Sequence, residues 1–533
     1  MDVHTPYALK DHIKAIPGSR WVKEAKVWRV PRTTTAAEHI ARMARRTGEL
    51  LSGDAAFDVL LADARAAHQA RKAARSGDSS AAVPTLTKAW HHQQCAFDHA
   101  RHMTASMLAM DMGTGKSLVA IGLLEEWQAR RVLIVCPKNV VGVWPHQLAQ
   151  HSLRAWSCIA PRKGTVAKRT EQVLAALDLA DVTGDPLAVI VNYESVIRDP
   201  LYGVLAGHHW DVVIADESHR MKQPGGRQSI AMAAIGARAN RRLALTGTPM
   251  SHSPLDIYAQ FRFLDKAVLG ASFARFKAQY AVEIEHRIVA WRDSALLSQM
   301  IGKLAYLCDA EDVLDLPDAV ETERTVELTD SAKAYAQMEE LMCAEVAGGT
   351  VTAANGLVRL LRLQQMTGGN VARDDSTIVR VGSEKRSLLR DVLADVPPDE
   401  PVVVFCRFVA DLAEVSSVAD DMGRTYAELS GNRRDALTER STLVPGVQVV
   451  GVQIQSGGVG IDLTGAATAI YYSVGFSLGD YKQSLARIHR PGQTRPALYV
   501  HLVAENTIDE TVYRALRAKE EVISEVLSAL RTR

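Results

Sequence analysis

The run Leu108–Ala–Met–Asp–Met–Gly–Thr–Gly–Lys–Ser117 holds the residue types that grip a phosphate. Gly113 and Gly115 let the backbone turn tightly and point its N–H groups inward. Lys116 brings a point charge to a β- or γ-phosphate, and the Ser117 hydroxyl can ligate magnesium. Met112 and Thr114 complete the nucleotide-binding segment. A helix predicted from Leu118 adds its positive end to an anionic ligand. The strict phosphate-loop pattern asks for a glycine where this chain has Met110. By itself, a glycine turn before a helix would also account for the run.

A second cluster is acidic. Trp210–Asp–Val–Val–Ile–Ala215 is short, apolar and β-branched, which predicts a buried strand. It leads into Asp216–Glu217–Ser218–His219. A carboxylate at the C-terminal edge of a parallel strand faces the ligand crevice of an open α/β sheet. Asp216 is placed to hold magnesium and Glu217 to polarise an attacking water, a division that phosphoryl transfer requires. An isolated Asp–Glu pair after a strand is otherwise an ordinary solvated loop.

The third cluster is Gln483–Ser–Leu–Ala–Arg487–Ile–His–Arg490–Pro–Gly–Gln493. Gln483, Arg487 and Arg490 recur at helical spacing, so they are expected on one helix face. Arginines so placed can stabilise charge developing on a γ-phosphate. A solvated basic helix is the alternative. Three phosphate-directed clusters in this order favour the catalytic reading.

Strand-like runs must position these groups. Arg131–Val135, Ala188–Val191, Val212–Ala215 and Arg242–Leu245 alternate with helical segments, and so do Val402–Phe405, Val447–Val452, Ala469–Tyr472 and Leu498–Leu502. Such alternation implies α/β architecture with parallel sheets covered on both faces. The expected divisions are a small accessory unit over 1–35, a helical segment and linker over 36–84, and a first lobe over 85–263. A mostly helical bridge over 264–385 and a second lobe over 386–533 follow. The tail Ile508–Leu530 reads as an amphipathic helix packing on the second lobe.

Composition narrows the class. The chain has 533 residues, 47% hydrophobic and 23% charged, as in ordinary globular proteins. No apolar stretch is long enough to span a bilayer, and Met1–Asp–Val–His–Thr lacks the features of a secretion signal. Six scattered cysteines argue against a zinc site or a disulfide framework. These features point to the cytoplasm. A net charge of +1 leaves any nucleic-acid contact to local cation clusters.

Near the N-terminus, Ile16–Pro–Gly–Ser–Arg–Trp21 and Lys26–Val–Trp–Arg–Val–Pro31 predict a short β-hairpin. Arg20, Lys23, Lys26 and Arg29 surround Trp21 and Trp28. Cations interleaved with aromatics suit backbone contact with base stacking, although an aromatic mini-core with solvated lysines fits equally. Arg42, Arg45, Arg46, Arg65, Arg71, Lys72 and Arg75 could follow a phosphate backbone or form a solvated face.

Taken together, these motifs resemble those of Swi/Snf-type ATPases of helicase superfamily two, over roughly Thr85 to Leu530. Trp90–His–His–Gln93 resembles the adenine-reading glutamine segment. Met112–Ser117 resembles motif I, where that family also usually lacks the first glycine. Val135–Cys–Pro–Lys138 with Val143–Trp144 resembles motif Ia, and Asn192–Tyr193–Glu194 motif Ib. Asp216–His219 is similar to the DExH box, and Leu245–Thr246–Gly–Thr–Pro249 to motif III. Asp312–Pro317 resembles the segment between the lobes, and Val402–Arg407 motif IV. Ser456–Gly–Gly458–Val–Gly460–Ile–Asp462–Leu–Thr464 resembles motif V, and the Gln483/Arg487/Arg490 segment motif VI. Tyr471–Tyr–Ser473 and Phe476–Ser–Leu478 depart from eukaryotic members and look more like compact bacterial or phage-encoded ones. The N-terminal hairpin resembles the accessory (HARP-like) repeat of annealing helicases.

The resemblance implies two RecA-like lobes that bind ATP and Mg2+ between them. Lobe one would supply Gln93, Lys116, Ser117, Asp216 and Glu217, and lobe two Gln483, Arg487 and Arg490. It implies DNA contacts at Lys138, Asn192, Arg407 and Gly458, and lobe coupling through Thr246, Gly460 and Asp462. The expected activity is a DNA-dependent ATPase that translocates on or remodels duplex or forked DNA, without sequence preference and without a membrane, in a bacterial or phage-infected host cytosol. A strand-separating DNA helicase is the near alternative. An RNA helicase and a non-hydrolysing DNA-binding adaptor are the others.

Overall fold

Short β-branched runs become the central strands of two all-parallel sheets. The computed structural model describes residues 1–50, 52–346, 349–438, 442–455 and 461–531. They divide into two units, 1–313 with 522–533, and 314–521.

The first unit holds a seven-stranded sheet. Its order is Ala305–Cys308, Ala105–Met110, Ala239–Thr246, Trp210–Asp216, Arg131–Cys136, Leu187–Asn192 and Ser157–Ile159, each parallel to its neighbour. Every residue of Ala105–Met110 is buried, as expected of a strand covered on both faces. Because all seven strands share one direction, Met110, Thr246, Asp216, Cys136 and Asn192 end on the same edge of the sheet. That is the edge at which open α/β sheets bind ligands.

The second unit repeats the plan with six parallel strands. Their order is Ala319–Val326, Ala497–Ala504, Thr468–Tyr471, Val402–Cys406, Val449–Gln453 and Tyr426–Leu429. Leu389, Val404, Leu412, Ile470 and Leu502 belong to its core. Within this core Lys385 is almost fully buried. Its Nζ lies 2.5 Å from Asp509 Oδ2 and donates to the Tyr472 carbonyl at 3.1 Å. Removing one partner of such a pair leaves a buried charge uncompensated. Lys385→Met should therefore destabilise this unit by about 3–5 kcal/mol, read as a fall in the denaturant midpoint.

The stretch 264–385 is not mostly helical. It contains the hairpins Ala281–Ile284/Arg287–Trp291, Cys343–Val346/Gly349–Thr352 and Asn370–Ala372/Ile378–Arg380. It also gives each parallel sheet an edge strand, Ala305–Cys308 to the first and Ala319–Val326 to the second. The latter reads Ala–Val–Glu–Thr–Glu–Arg–Thr–Val and is exposed along seven of its eight positions. An exposed edge strand needs no apolar run, because one flank and much of its surface stay wet.

At the N-terminus, Arg20–Val22 and Val27–Arg29 form the expected hairpin, and Asp2–Val3 adds a third strand. Trp21 and Trp28 meet edge to face at 5.6 Å. Trp28 packs against a small core of Ile13, Ile16, Val30, Ala36 and Ile40, while Trp21 stays 47% exposed. The following helical stretch is two helices, Thr34–Thr47 and Ala55–Ser76, because Gly48 takes a left-handed conformation (φ 73°) and ends the first. The tail helix Ile508–Arg531 groups with the second unit only as far as Glu521. Among the described residues, no helix is long and apolar enough to cross a membrane.

Candidate nucleotide site

The phosphate loop joins the strand Ala105–Met110 to the helix Lys116–Glu126. Gly113 and Gly115 sit at φ 82° and 84°, a left-handed backbone that side chains resist. Met110 is fully buried as the last strand residue, and its carbonyl accepts from Lys116 Nζ at 2.8 Å. Lys116 also donates to the Asp111 carbonyl at 3.1 Å. The ammonium is thus folded over the loop that it would serve. Where a strict phosphate loop has glycine, this fold has a core strand residue.

Two side chains brace the loop from behind. His92 Nε2 and Gln93 Nε2 both donate to the Thr114 carbonyl, at 2.9 and 3.0 Å. Gln93 Oε1 accepts from the Trp90 N–H at 2.9 Å, so both ends of its amide are engaged. A Cβ at Gly115 would run into Gln93 Nε2. Gln93 is therefore placed against the phosphate loop itself. On the other side, Asp111 Oδ2 accepts from the Ala310 N–H at 3.1 Å, which ties the loop to the stretch after the edge strand.

The acidic pair lies on the same sheet edge. Asp216 is buried, and its Oδ2 accepts from the Trp144 indole N–H at 3.0 Å. Its Oδ1 accepts from the Glu217 N–H at 3.0 Å, and its carbonyl accepts from the Tyr193 hydroxyl at 2.9 Å. Burial, and then the neighbouring Glu217 charge, push the Asp216 carboxyl up to about 7, with Trp144 and Lys116 opposing. Two buried carboxylates side by side raise each other's cost of ionising, and Ser117, in the first turn of the helix Lys116–Glu126, offers a hydroxyl oxygen. Oxygen ligands of this kind fit a magnesium ion.

Glu217 is buried and left-handed, at φ 50°, a conformation uncommon for a side-chain-bearing residue. Its Oε2 lies 3.4 Å from His219 Nδ1, and His219 Nδ1 lies 3.3 Å from Thr246 Oγ1. Thr246 Oγ1 also accepts from the Thr248 N–H at 3.1 Å. Thr246 thus touches the acidic box through one histidine. Ser218 donates to Gln260 Oε1 at 2.7 Å, which anchors the box to the helix Ile257–Leu264.

The expected nucleic-acid residues of this unit differ in freedom. Lys138 is exposed just past the strand Arg131–Cys136. Asn192 Nδ2 donates to Glu194 Oε2 and its Oδ1 accepts from Ser195, both at 2.5 Å.

In the second unit, the expected helix face does not form. The helix Leu478–Leu485 ends before either arginine, and Arg487 and Arg490 lie in turns beyond it. Pro491 disfavours helical backbone at the residue before it, and Gln493 caps the turns by donating to the Ala466 carbonyl at 2.9 Å. Gln483 and buried Arg487 nonetheless line one crevice with Ile461 and Leu463. Arg490 donates through Nη1 to the Ile461 carbonyl at 3.0 Å. Gln483 and Arg487 therefore share the crevice from a helix end and a turn, and Arg490 is tied to Ile461, one of its lining residues. Asp462 Oδ1 accepts from the Thr464 N–H and hydroxyl at 2.9 and 2.7 Å, a local turn. Gly458 and Gly460 lie outside the described residues.

Arg407 follows the strand Val402–Cys406. It donates to Gln364 Oε1 and lies 5.1 Å from the Phe408 ring, and its N–H donates to Ser473 Oγ at 2.8 Å. Ser473 in turn donates to Asp411, whose carboxyl burial pushes up to about 7.

Trp144, His92 and Asp111 are site residues that sequence spacing did not single out. Trp144 and His92 stand inside motif-like runs, but only folding aims their N–H groups. If the indole donor sustains the Asp216 carboxylate, Trp144→Phe removes about 1.5–3 kcal/mol of charged hydrogen bonding. The carboxyl then rises further, and the acid limb of the ATPase pH profile should move up by about one pH unit or more. The check is kcat/KM against pH.

A glycine-rich loop with Lys116 and a buried acidic pair on one edge of a parallel sheet are the parts of an ATP hydrolase. Comparison with known proteins resolves the class. The chain belongs to the SNF2-related family: the SNF2-related domain matches residues 64–368, and a helicase conserved C-terminal domain matches 384–492. A Caenorhabditis elegans homologue of SWI/SNF-related matrix-associated actin-dependent regulator of chromatin subfamily A-like protein 1 is 26% identical, over 79% of this chain and 59% of its own. Putative protein p41 of Acyrthosiphon pisum secondary endosymbiont phage 1 is 24% identical, over 83% of this chain and 98% of its own. The SWI2/SNF2 ATPase core of Sulfolobus solfataricus, solved in complex with dsDNA, is 21% identical with a TM-score of 0.40, over 84% of this chain and 95% of that one. Several curated relatives are much longer, and the chain spans 40% to 59% of their length.

Proposed function

We propose that this chain is a DNA-dependent ATPase that translocates on, or remodels, duplex or forked DNA. The observation that carries the reading is the convergence of Lys116, Asp216 and Glu217 on one sheet edge, with Trp144 bonded to Asp216 and Thr246 to the neighbouring His219. ATP would lie over Gly113–Ser117, with Lys116 swung from its loop carbonyls to the β- and γ-phosphates. Ser117 and Asp216 would hold a magnesium ion, which would supply positive charge to those phosphates. Glu217 orients the attacking water and draws on its proton. Arg487 and Arg490 reach the γ-phosphate when the two units close, with Gln483 beside them. Turnover is then slow in one state and fast in the other, so hydrolysis is coupled to domain motion.

Lys138, Asn192, Arg407 and the Gly458 loop are assigned to the DNA backbone, and Thr246, Gly460 and Asp462 to coupling between the units. Backbone contacts position a protein without reading sequence, so little sequence preference follows. The test is ATP turnover of the full chain against duplexes, forks, single strands and RNA. Stimulation by duplex or fork above RNA is expected; stimulation by RNA alone, or by nothing, overturns the reading. Strand-displacement and annealing assays on the same forks separate remodelling from strand separation.

A further inference from the structure

A cleft of about 550 Å3 lies in the first unit, remote in sequence from the phosphate loop and the acidic box. Its walls are the helices Thr34–Thr47 and Ala55–Ser76 and the end of the helix Ser294–Ile301. Arg42, His68, Arg71, Lys72 and Lys303 line it, and Arg65 lines its continuation. Among the described residues lining it, Glu38 is the sole carboxylate.

These cations are gathered by the fold against their own repulsion. Lys303 is partly buried, and burial, then Arg42, lower its affinity for a proton. Arg71 is held in place by donating to the Lys303 carbonyl at 2.9 Å and by facing Glu38 at 3.6 Å. The heads of Arg42, Arg65, His68 and Lys72 are exposed. Buried Ala41 and Ala64 form part of the floor, so a ligand backbone can come close to both helices. Positive charge converging this way, with one opposing carboxylate, favours an anion.

The spacing selects among anions. Arg65, His68 and Lys72 recur at intervals of three and four, on one helix face. From Arg65 to Lys72 the helix rises about 10 Å at 1.5 Å per residue. That length matches about three phosphates of one strand at 3.4 Å of axis rise each. Arg42 on the facing helix lines the same cleft from the other side.

We propose that this cleft is a second nucleic-acid site, in which the two N-terminal helices and Lys303 grip the phosphodiester backbone of one strand outside the motor surface. The proposal rests on the DNA reading above. Removal of the cleft cations should weaken binding and shed the counterion release that goes with each lost phosphate contact.

The test uses the full chain without ATP and a short duplex or fork, titrated over a range of salt. The triple variant Arg42→Gln, Arg65→Gln, Lys72→Gln changes only exposed positions. Its binding should weaken, and the slope of log affinity against log salt should become shallower by about two to three, at 0.9 per phosphate. Glu38→Gln should act in the opposite direction and tighten binding, an effect that a purely structural role does not give. ATP turnover without DNA should stay at the parent value in both. If the parent chain binds DNA and the triple variant binds equally with an unchanged slope, the cleft assignment fails while the motor reading stands. If the parent chain binds neither duplex nor fork, both fail. If the triple variant loses polyglutamate binding as strongly as DNA binding, the cleft takes acidic chains in general and the phosphodiester assignment is overturned.

Discussion

Arg490→Ala should lower ATP turnover by about a thousandfold, the low end of what an arginine aimed at a transferring phosphoryl group contributes. The effect should fall on kcat far more than on nucleotide affinity, because the charge it meets develops only in the transition state. Its position explains why the fold should tolerate the change. Arg490 is half-buried and sits in a turn, and among the described residues its side chain makes one hydrogen bond, of 3.0 Å, to the Ile461 carbonyl. Its Nε has no hydrogen-bond partner among the described residues. Loss of the side chain costs one ordinary bond, on the order of 1 kcal/mol, so the thermal midpoint should move little. Arg490→Lys should rescue only in small part, since an ammonium keeps the charge but lacks the planar fork. Normal turnover of Arg490→Ala, with the fold intact, would show that the second sheet does not supply the cation to the phosphate.

Glu217→Gln should cost about a hundredfold to ten-thousandfold in turnover, the range for a positioned acid–base group. Nucleotide binding should persist, because Lys116 and the loop amides are untouched. Glutamine is nearly isosteric and keeps the left-handed backbone that the site already imposes at φ 50°. What it removes is one of two adjacent buried negative charges. The Asp216 carboxyl, held near 7 by burial and by Glu217, should then fall towards the ordinary carboxylate range. Two readouts therefore separate a catalytic from a structural role: turnover collapses, while the pH dependence attached to Asp216 moves down. A variant that hydrolyses ATP at the parent rate would remove Glu217 from the reaction. Because Lys116, Glu217, Arg487 and Arg490 are all present, the adaptor alternative would have to explain why the four groups proposed for catalysis are all kept.

Both expectations draw on residues visible before the fold was known, yet the way they are held was not. The run Gln483 to Arg490 has helical spacing, and the helix stops at Leu485. Spacing reports only what a regular element would do; the proline after Arg490 and the Gln493 contacts to the Thr464 and Ala466 carbonyls decide otherwise. Gln93 stands in an adenine-reading pattern, and its amide is spent on Trp90 and Thr114. Met110 breaks the glycine pattern because it is a buried strand end.

The central strands were legible for a simple reason. A parallel strand covered on both faces must be apolar throughout, so Val132–Cys136, Val212–Ala215 and Val402–Cys406 announce themselves. Edge strands carry no such demand, and Ala319–Val326, rich in charge, was hidden in a region read as helical. Gly113–Ser117 and Asp216–Glu217 were equally legible, because tight turns and phosphate chemistry constrain residue type locally.

The sequence by itself determined the chemistry, the order of its motifs and the α/β class, since each depends on neighbours a few residues apart. Tertiary structure alone decided which donors steady that chemistry. The Trp144 indole reaches Asp216 across 72 positions, and Arg71 reaches the Lys303 carbonyl across 232. No local rule carries those distances; they arise when parallel strands bring their ends to one edge and helices pack across the chain.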